Sequence, residues 1–234
     1  VEAIILAGGL GTRLRSVIAD LPKPMAPIAG KPFLWYLLSY MSSFDIQKVI
    51  LSVGYQYEII QASFGHRFAG MEIQYAVEEE PLGTGGGIRH ALKKVHGERV
   101  LIVNGDTFFA VDFSELAKTH SARNADLTLS LKPMMNFNRY GNVVTAETRV
   151  IGFQEKQPTQ SGLINGGIYL MNSHLFDELA LHERFSFEKD FLEKFVRTRN
   201  FQAFISDGYF IDIGVPEDYL AARQELQNKL NVKG

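Results

Sequence analysis

A three-layer α/β fold with a mostly parallel central sheet is the architecture this sequence predicts, and three observations carry it. Short, fully apolar runs such as Ala3 to Leu6 and Val100 to Val103 suit strands buried on both faces of a parallel sheet. Helical stretches with an apolar face alternate with these runs through the first half of the chain. Glycine- and aspartate-bearing segments follow two of the strands directly, where ligands bind in such sheets.

Taken in order, Ala3 to Leu6 is the first strand and stops at Gly8-Gly9. A helix runs from Pro32 to Leu38, with proline at its first helical position. Lys48 to Val53 is the next strand, Tyr57 to Phe64 a short helix, and Glu72 to Val77 a further strand. After a glycine-rich turn, Ile88 to Val95 is helical, and the strand Val100 to Val103 ends in Asn104-Gly105-Asp106. This β-α-β-α-β-α-β order brings Ala7 to Arg13 and Asn104 to Asp106 to one sheet edge. The second half is less regular. Strands are expected at Leu127 to Leu131, Asn142 to Thr145, Val150 to Phe153, Ile168 to Met171, Phe201 to Ile205 and Tyr209 to Ile213. Helices are expected near Phe187 to Arg197 and Pro216 to Lys229. With no low-complexity linker and no internal repeat, residues 1–234 are expected to form a single domain, its halves being 1–112 and 113–234.

Composition narrows the function. A formal net charge of −2 argues against a general nucleic-acid binder, though not against a local basic pocket. The chain has no cysteine, which removes disulfides and thiolate metal sites and suits the cytoplasm. The apolar N-terminus is too short for a signal segment, and no run reaches the roughly 18 to 20 apolar residues of a membrane span. A soluble, cytoplasmic protein with no membrane partner is the expectation.

Leu6-Ala7-Gly8-Gly9-Leu10-Gly11-Thr12-Arg13-Leu14 carries the strongest motif. Glycines after a buried strand let the backbone approach a bulky anion and present its N–H groups. Arg13 adds a forked, permanently charged donor for phosphate oxygens. A tight strand-to-helix turn with a surface arginine is the plainer alternative. The third glycine of the dinucleotide fingerprint and the Gly-Lys-Ser/Thr ending of a P-loop are both missing. Lys23, held between Pro22 and Pro24, has the restricted backbone expected of a lysine aimed at phosphates, or of an ordinary surface turn. Asp106 and Asp212 each end an apolar strand, where a carboxylate has no packing reason to be. They are either turn caps or hard oxygen ligands for Mg²⁺.

The glycine motif followed by Pro22-Lys23-Pro24-Met25 resembles the signature of the sugar nucleotidyltransferase family. The likeness continues through Glu80-Pro81-Leu82-Gly83-Thr84-Gly85-Gly86, Asn104-Gly105-Asp106-Thr107-Phe108-Phe109, Asn165-Gly166-Gly167-Ile168-Tyr169-Leu170 and Asp212-Ile213-Gly214-Val215-Pro216, and so covers nearly the whole chain. It implies a Rossmann-like nucleotidyltransferase fold and an enzyme that makes an NDP-sugar and pyrophosphate. The nucleotide would lie in the first half against Leu6, Ala7, Gly8, Gly9, Gly11, Thr12, Arg13, Lys23, Glu78, Pro81, Gly83, Thr84, Gly105 and Asp106. The sugar phosphate would lie in the second half against Gly141, Glu155, Lys156, Asn165 and Gly166. Asp106 and Asp212 would hold Mg²⁺, and Arg13, Lys23, Asp106, Lys156 and Asp212 would form the catalytic set.

The resemblance is strongest to bacterial members that join GTP to D-glycero-D-manno-heptose 1-phosphate. Glu78 is a suitable acceptor for the N–H groups of guanine, although uracil and thymine also present one. Mannose, N-acetylmuramic acid and glucose 1-phosphates, in that order, stay open as acceptors, as do UTP as donor and the choice between one and two metal ions. Ser186-Phe187-Glu188-Lys189-Asp190 resembles a segment that closes the acceptor pocket in mannose-specific relatives.

Two rival classes are a catalytically silent sugar-nucleotide-binding regulator and a glycosyltransferase. The first is disfavoured by retention of the five catalytic residues, the second by the lack of an Asp-x-Asp motif at Asp106 or Asp212. A chain ending about 20 residues past Asp212 is expected to lack a β-helix extension. The six histidines read as surface or half-buried residues, Phe108, Phe109 and Phe137 as candidate borders of the sugar, and apolar helices of the second half as support for a homodimer.

Overall fold

The computed structural model describes residues 1–9, 14, 18 and 21–230. Down the chain, β1 (Glu2–Leu6), a 3₁₀ turn (Lys23–Met25), β2 (Pro27–Ile28) and β3 (Lys31–Pro32) lead to α1 (Phe33–Met41). Then come β4 (Lys48–Val53), α2 (Tyr57–Phe64), β5 (Arg67–Phe68), β6 (Met71–Val77) and α3 (Gly83–Leu92). β7 (Arg99–Asn104) and β8 (Thr107–Phe109) close the first half, and α4 (Phe113–Ala122) opens the second. The second half holds β9 (Leu127–Phe137), β10 (Asn142–Ala146), β11 (Arg149–Gln154) and β12 (Thr159–Asn172). A π-helical turn (Phe187–Leu192) runs into α5 (Glu193–Phe195), followed by β13 (Phe201–Ile205), β14 (Phe210–Asp212) and α6 (Pro216–Leu230).

Ten strands form one sheet in the order β10-β11-β13-β9-β12-β7-β1-β4-β6-β5. Across β7-β1-β4-β6 all pairings are parallel, as the apolar runs predict. Beyond β7 the sheet turns mixed, because β12 joins both β7 and β9 antiparallel while β13 pairs β9 parallel. Alternation along β1 sends Ala3 and Ile5 to one face and Ile4 to the other. The first face is covered by α1, α2, α4 and α6, and the second by α3 and the phenylalanines of the π-helical turn, which completes three layers. Burying a side chain such as Phe191 contributes about 2 to 3 kcal/mol, so each layer is held mainly by such anchors.

Several elements differ from expectation for identifiable reasons. Pro32 is the N-cap of α1 and not its first helical residue. The second glycine-rich run is itself helical, since α3 begins at Gly83 rather than at Ile88. Helix α4 was not expected, although Asp112 caps it by accepting from the Ser114 and Glu115 N–H groups, with Glu115 in the first turn. The apolar residues of α6, Tyr219, Ala222 and Leu226, are buried, and Leu220 is the large apolar residue exposed on that helix among the described residues. His120 is fully buried, bonded through its ring nitrogens to Thr128 Oγ1 and Asn172 Oδ1, and burial pushes its pKa down. No helix among the described residues is long and apolar enough to cross a membrane.

Candidate active site

Four adjacent parallel strands end on one edge, and the residues that follow them meet there. Ala7 follows β1 and donates its N–H to the Ser52 carbonyl at 2.8 Å. Gly8 lies against Gly54, which follows β4 and reaches the Glu78 backbone after β6. After β7, the Gly105 N–H donates to the Leu6 carbonyl, which carries Asp106 to the same edge. Gly11, Thr12 and Arg13, three of the expected phosphate-binding residues, lie outside the described residues.

Lys23 reaches this edge from the 3₁₀ turn. Its neighbours Pro24 and Met25 are buried and anchor the turn, and Lys23 Nζ lies 2.5 Å from Asp106 Oδ2. Asp106 and Asp212 are brought together by the small β8–β14 ladder, in which Asp212 is opposite Thr107 and the Ile213 N–H donates to the Asp106 carbonyl at 2.9 Å. Burial raises the Asp212 pKa and the Asp106 charge raises it further, against the pull of Lys23 and the Gly214 N–H. That electrostatic strain is what a cation would relieve. Among the described residues no group of three or more His, Cys, Asp or Glu side chains converges as a complete metal site. Two hard carboxylates without further protein ligands fit Mg²⁺, which takes its remaining oxygens from substrate phosphates and water.

A cavity of about 570 Å³ opens beside the two aspartates. Gly141, Glu155, Lys156 and Asn165, four of the five residues expected to hold the acceptor, line it together with Asp106 and Asp212. Asn165 is aimed by a bulge in β12, where the five residues from Asn165 to Tyr169 oppose the three from Leu131 to Leu129 on β9. Its Nδ2 donates to Tyr169 Oη at 2.8 Å and its Oδ1 accepts from the Gly167 N–H at 3.1 Å. Gly167 sits at φ +72°, a left-handed conformation that favours glycine. The fifth residue, Gly166, packs on the Phe109 ring and is not part of the lining.

Phe108 and Phe109 do not border the cavity, because both are buried, Phe108 against Tyr40 and Tyr209 and Phe109 against Phe210. Phe137 lines a smaller neighbouring pocket instead, and Phe153 and Phe210 supply the aromatic walls.

The segment Ser186 to Asp190, which resembles a pocket-closing segment, does reach the cavity. Glu188 and Lys189, on the π-helical turn capped by Ser186 Oγ, line the cavity. Burial raises the Glu188 pKa, Lys156 lowers it, and Glu193 and Asp106 raise it again, for a net rise. Arg139 and Asp218 form an ion pair at the cavity edge, joining the segment before Gly141 to the first turn of α6. Tyr140, beside them, is pushed up to about 12 by burial and by Asp212. Arg139 is adjacent to the Tyr140-Gly141 pair in sequence, but its partner is 79 residues away, so no local pattern reveals the pair.

Glu78, expected to meet the nucleotide, accepts from Ser52 Oγ at 3.1 Å and from the Leu82 N–H at 2.9 Å. Pro81, Gly83 and Thr84 lie at the exposed start of α3. Thr84 Oγ1 accepts from the Phe187 N–H at 2.9 Å, so its hydroxyl supports the cavity wall.

Comparison with known proteins agrees with this architecture. A nucleotidyl transferase family model matches residues 2–229. The chain is 54% identical over 227 residues to a D-glycero-alpha-D-manno-heptose 1-phosphate guanylyltransferase of Aneurinibacillus thermoaerophilus, covering 97% of this chain and 99% of that one. It is 51% identical over 219 residues to the protein of the same name from Campylobacter jejuni, covering 93% and 96%. HddC from Yersinia pseudotuberculosis, solved in complex with GMP-PN, superposes with a TM-score of 0.86 at 38% identity over 96% of this chain and 99% of that one. The chain belongs to the nucleotidyl transferase family.

Proposed function

We propose that this nucleotidyl transferase transfers a guanylyl group from GTP to D-glycero-α-D-manno-heptose 1-phosphate, releasing pyrophosphate. The observation that carries the reaction is the meeting of Lys23, Asp106 and Asp212 at one end of a cavity whose walls hold Lys156, Glu155 and Asn165. The choice of substrates is supported by the likeness to the two guanylyltransferases. The absence of cysteine suits a cytoplasmic setting.

An oxygen of the acceptor phosphate attacks the α-phosphorus of GTP in line, and the bond to the bridging oxygen of the leaving pyrophosphate breaks. The acceptor phosphate is already ionised at neutral pH, so no general base is needed. The protein must bring two anions together, so positioning and charge neutralisation dominate. Lys156 grips the acceptor phosphate and Lys23 reaches the phosphates near the α-position, leaving Asp106 as it does so. Glu155 and Asn165 accept and donate hydrogen bonds to sugar hydroxyls. Glu78 accepts from the pairing edge of guanine. Arg13 and the backbone at Gly8 and Gly9 hold the triphosphate. A divalent cation on Asp106 and Asp212, Mg²⁺ in this reading, would supply further neutralisation of the reacting phosphates.

The test is pyrophosphate release across four NTPs and a panel of sugar 1-phosphates, with Mg²⁺ and then with EDTA. Release confined to GTP with the heptose phosphate, lost in EDTA and restored by Mg²⁺, is expected. Preference for mannose 1-phosphate or another NTP keeps the reaction and replaces the substrates. Folded protein that binds a nucleotide but releases no pyrophosphate with any pair overturns the proposal.

A further inference from the structure

The glycines of α3 are explained by packing rather than by phosphate binding. A Cβ at Gly85 would collide with the Phe185 ring, one at Gly83 would lie 2.6 Å from the Phe185 carbonyl oxygen, and one at Gly86 2.8 Å from that of Glu183. These glycines form a seat for residues 183–187. Phe185 is buried in it, its N–H donates to the Leu82 carbonyl at 3.1 Å, and its carbonyl accepts from the Gly85 N–H at 3.0 Å. Arg89 fastens the approach, donating to the His182 carbonyl at 2.7 Å and lying 5.2 Å from the Phe185 ring centroid.

The seat joins the two substrate sides of the enzyme. On one side, the Leu82 N–H donates to Glu78 Oε2. On the other, the chain leaving Phe185 enters the π-helical turn, whose Phe187 N–H is held by Thr84 Oγ1 and whose Glu188 and Lys189 line the acceptor cavity. The path from Glu78 through Leu82 and Phe185 to Glu188 is thus an unbroken run of hydrogen bonds and backbone through a closely packed interior, which resists deformation.

We infer that Phe185, seated in the glycine cleft of α3, is a positioning residue that couples the nucleotide base to the acceptor wall, so that base and sugar phosphate bind cooperatively. This rests on the reading that the base is held at Glu78. A base that takes up the Glu78 carboxylate fixes the turn from Glu78 to Leu82. The Leu82–Phe185 link then holds the π-helical turn in place, and the acceptor meets a wall already ordered.

The test separates this link from direct charge effects by using guanosine, which carries the base without phosphates, and working in EDTA. Calorimetry of the full chain measures heptose 1-phosphate affinity with and without saturating guanosine. In wild type, guanosine is expected to tighten acceptor binding about fivefold. In Gly85→Ala, which displaces the ring, and in Phe185→Ala, which empties the seat, the ratio is expected to fall to about one while guanosine still binds. Phe185→Leu, which keeps apolar bulk in the seat, covers the case in which Phe185→Ala does not fold and is expected to give a reduced ratio. A ratio of one in wild type that binds both ligands overturns the inference, as does an unchanged ratio in folded variants. Those outcomes leave pyrophosphate release intact, whereas failure of the guanylyltransferase reading removes release itself.

Discussion

Lys23 and Asp106 pair at 2.5 Å, and the proposed reaction uses both groups on the phosphates and their cation. Removing the charge of Asp106 while keeping its shape tests the pair most directly. Asp106→Asn is expected to lower kcat by about 10² to 10³, comparable to losing a donor at a charged transition state. Steady-state rates for a variant with unchanged circular dichroism decide it, and near-normal turnover would remove Asp106 from the mechanism. At the opposite end of the strands lies a purely structural pair. Glu2 Oε1 lies 2.5 Å from Lys48 Nζ, and Glu2 Oε2 accepts from the His96 and Gly97 N–H groups. Burial raises the Glu2 pKa, but Lys48 and the two N–H groups outweigh it and hold the carboxyl below its ordinary value. A carboxyl so lowered stabilises the fold above the usual glutamate range and loses that contribution as pH falls through its folded pKa. Glu2→Gln is therefore expected to lose about 2 kcal/mol at neutral pH. Urea midpoints should show the gap from wild type narrowing below about pH 4; a gap independent of pH would contradict the assignment.

At the scale of elements, the bulge in β12 sets Asn165 in the cavity wall. Without the two extra residues between Asn165 and Tyr169, the strand would continue its pleat, and Asn165 would lose its bonds to Tyr169 and Gly167. Gly167 is the point of least tolerance, since its φ is +72° and a Cβ there would lie 2.8 Å from Asn104 Nδ2. Gly167→Ala is expected to destabilise the protein by about 1 to 2 kcal/mol. It should also raise KM for the sugar phosphate more than KM for GTP, because Asn104 and Asn165 both line the cavity. Equal changes in the two KM values would argue against a local effect on the acceptor side.

For the whole molecule, the continuous sheet matters more than the two halves of the sequence. β12, from the second half, pairs with β7 from the first, and α6 returns at the chain's end to pack on the face that carries α1. Tyr219 Oη of α6 donates to the Pro27 carbonyl at 2.7 Å, 192 residues away. Residues 1–112 and 113–234 are therefore expected to unfold together. Fluorescence of Trp35, in the first half, and far-UV circular dichroism should give coincident denaturation curves. Two separated transitions would divide the chain into independent units.

The sequence by itself determined the parallel strands of the first half, because each is a short apolar run whose burial on both faces needs no long-range information. It also marked Lys23, Asp106 and Asp212, since charged residues at strand ends and between prolines stand out against their surroundings, while Glu155, Lys156 and Asn165 were marked by the family resemblance. Helix α4 was not expected, although the Asp112 to Glu115 spacing that caps it stands in the sequence. Only the tertiary structure decided the rest. The glycines from Gly83 to Gly86 look like a loop in sequence, yet they begin α3, and at Gly83 and Gly85 a side chain is excluded because Phe185, about 100 residues later, lies on them. Phe108 and Phe109 look like sugar-facing aromatics beside Asp106, yet they are core because β14 covers them. The Arg139–Asp218 pair likewise depends on a contact between distant segments. Local sequence records propensity and chemistry, whereas packing between distant segments depends on shape complementarity, which exists only once the chain has folded.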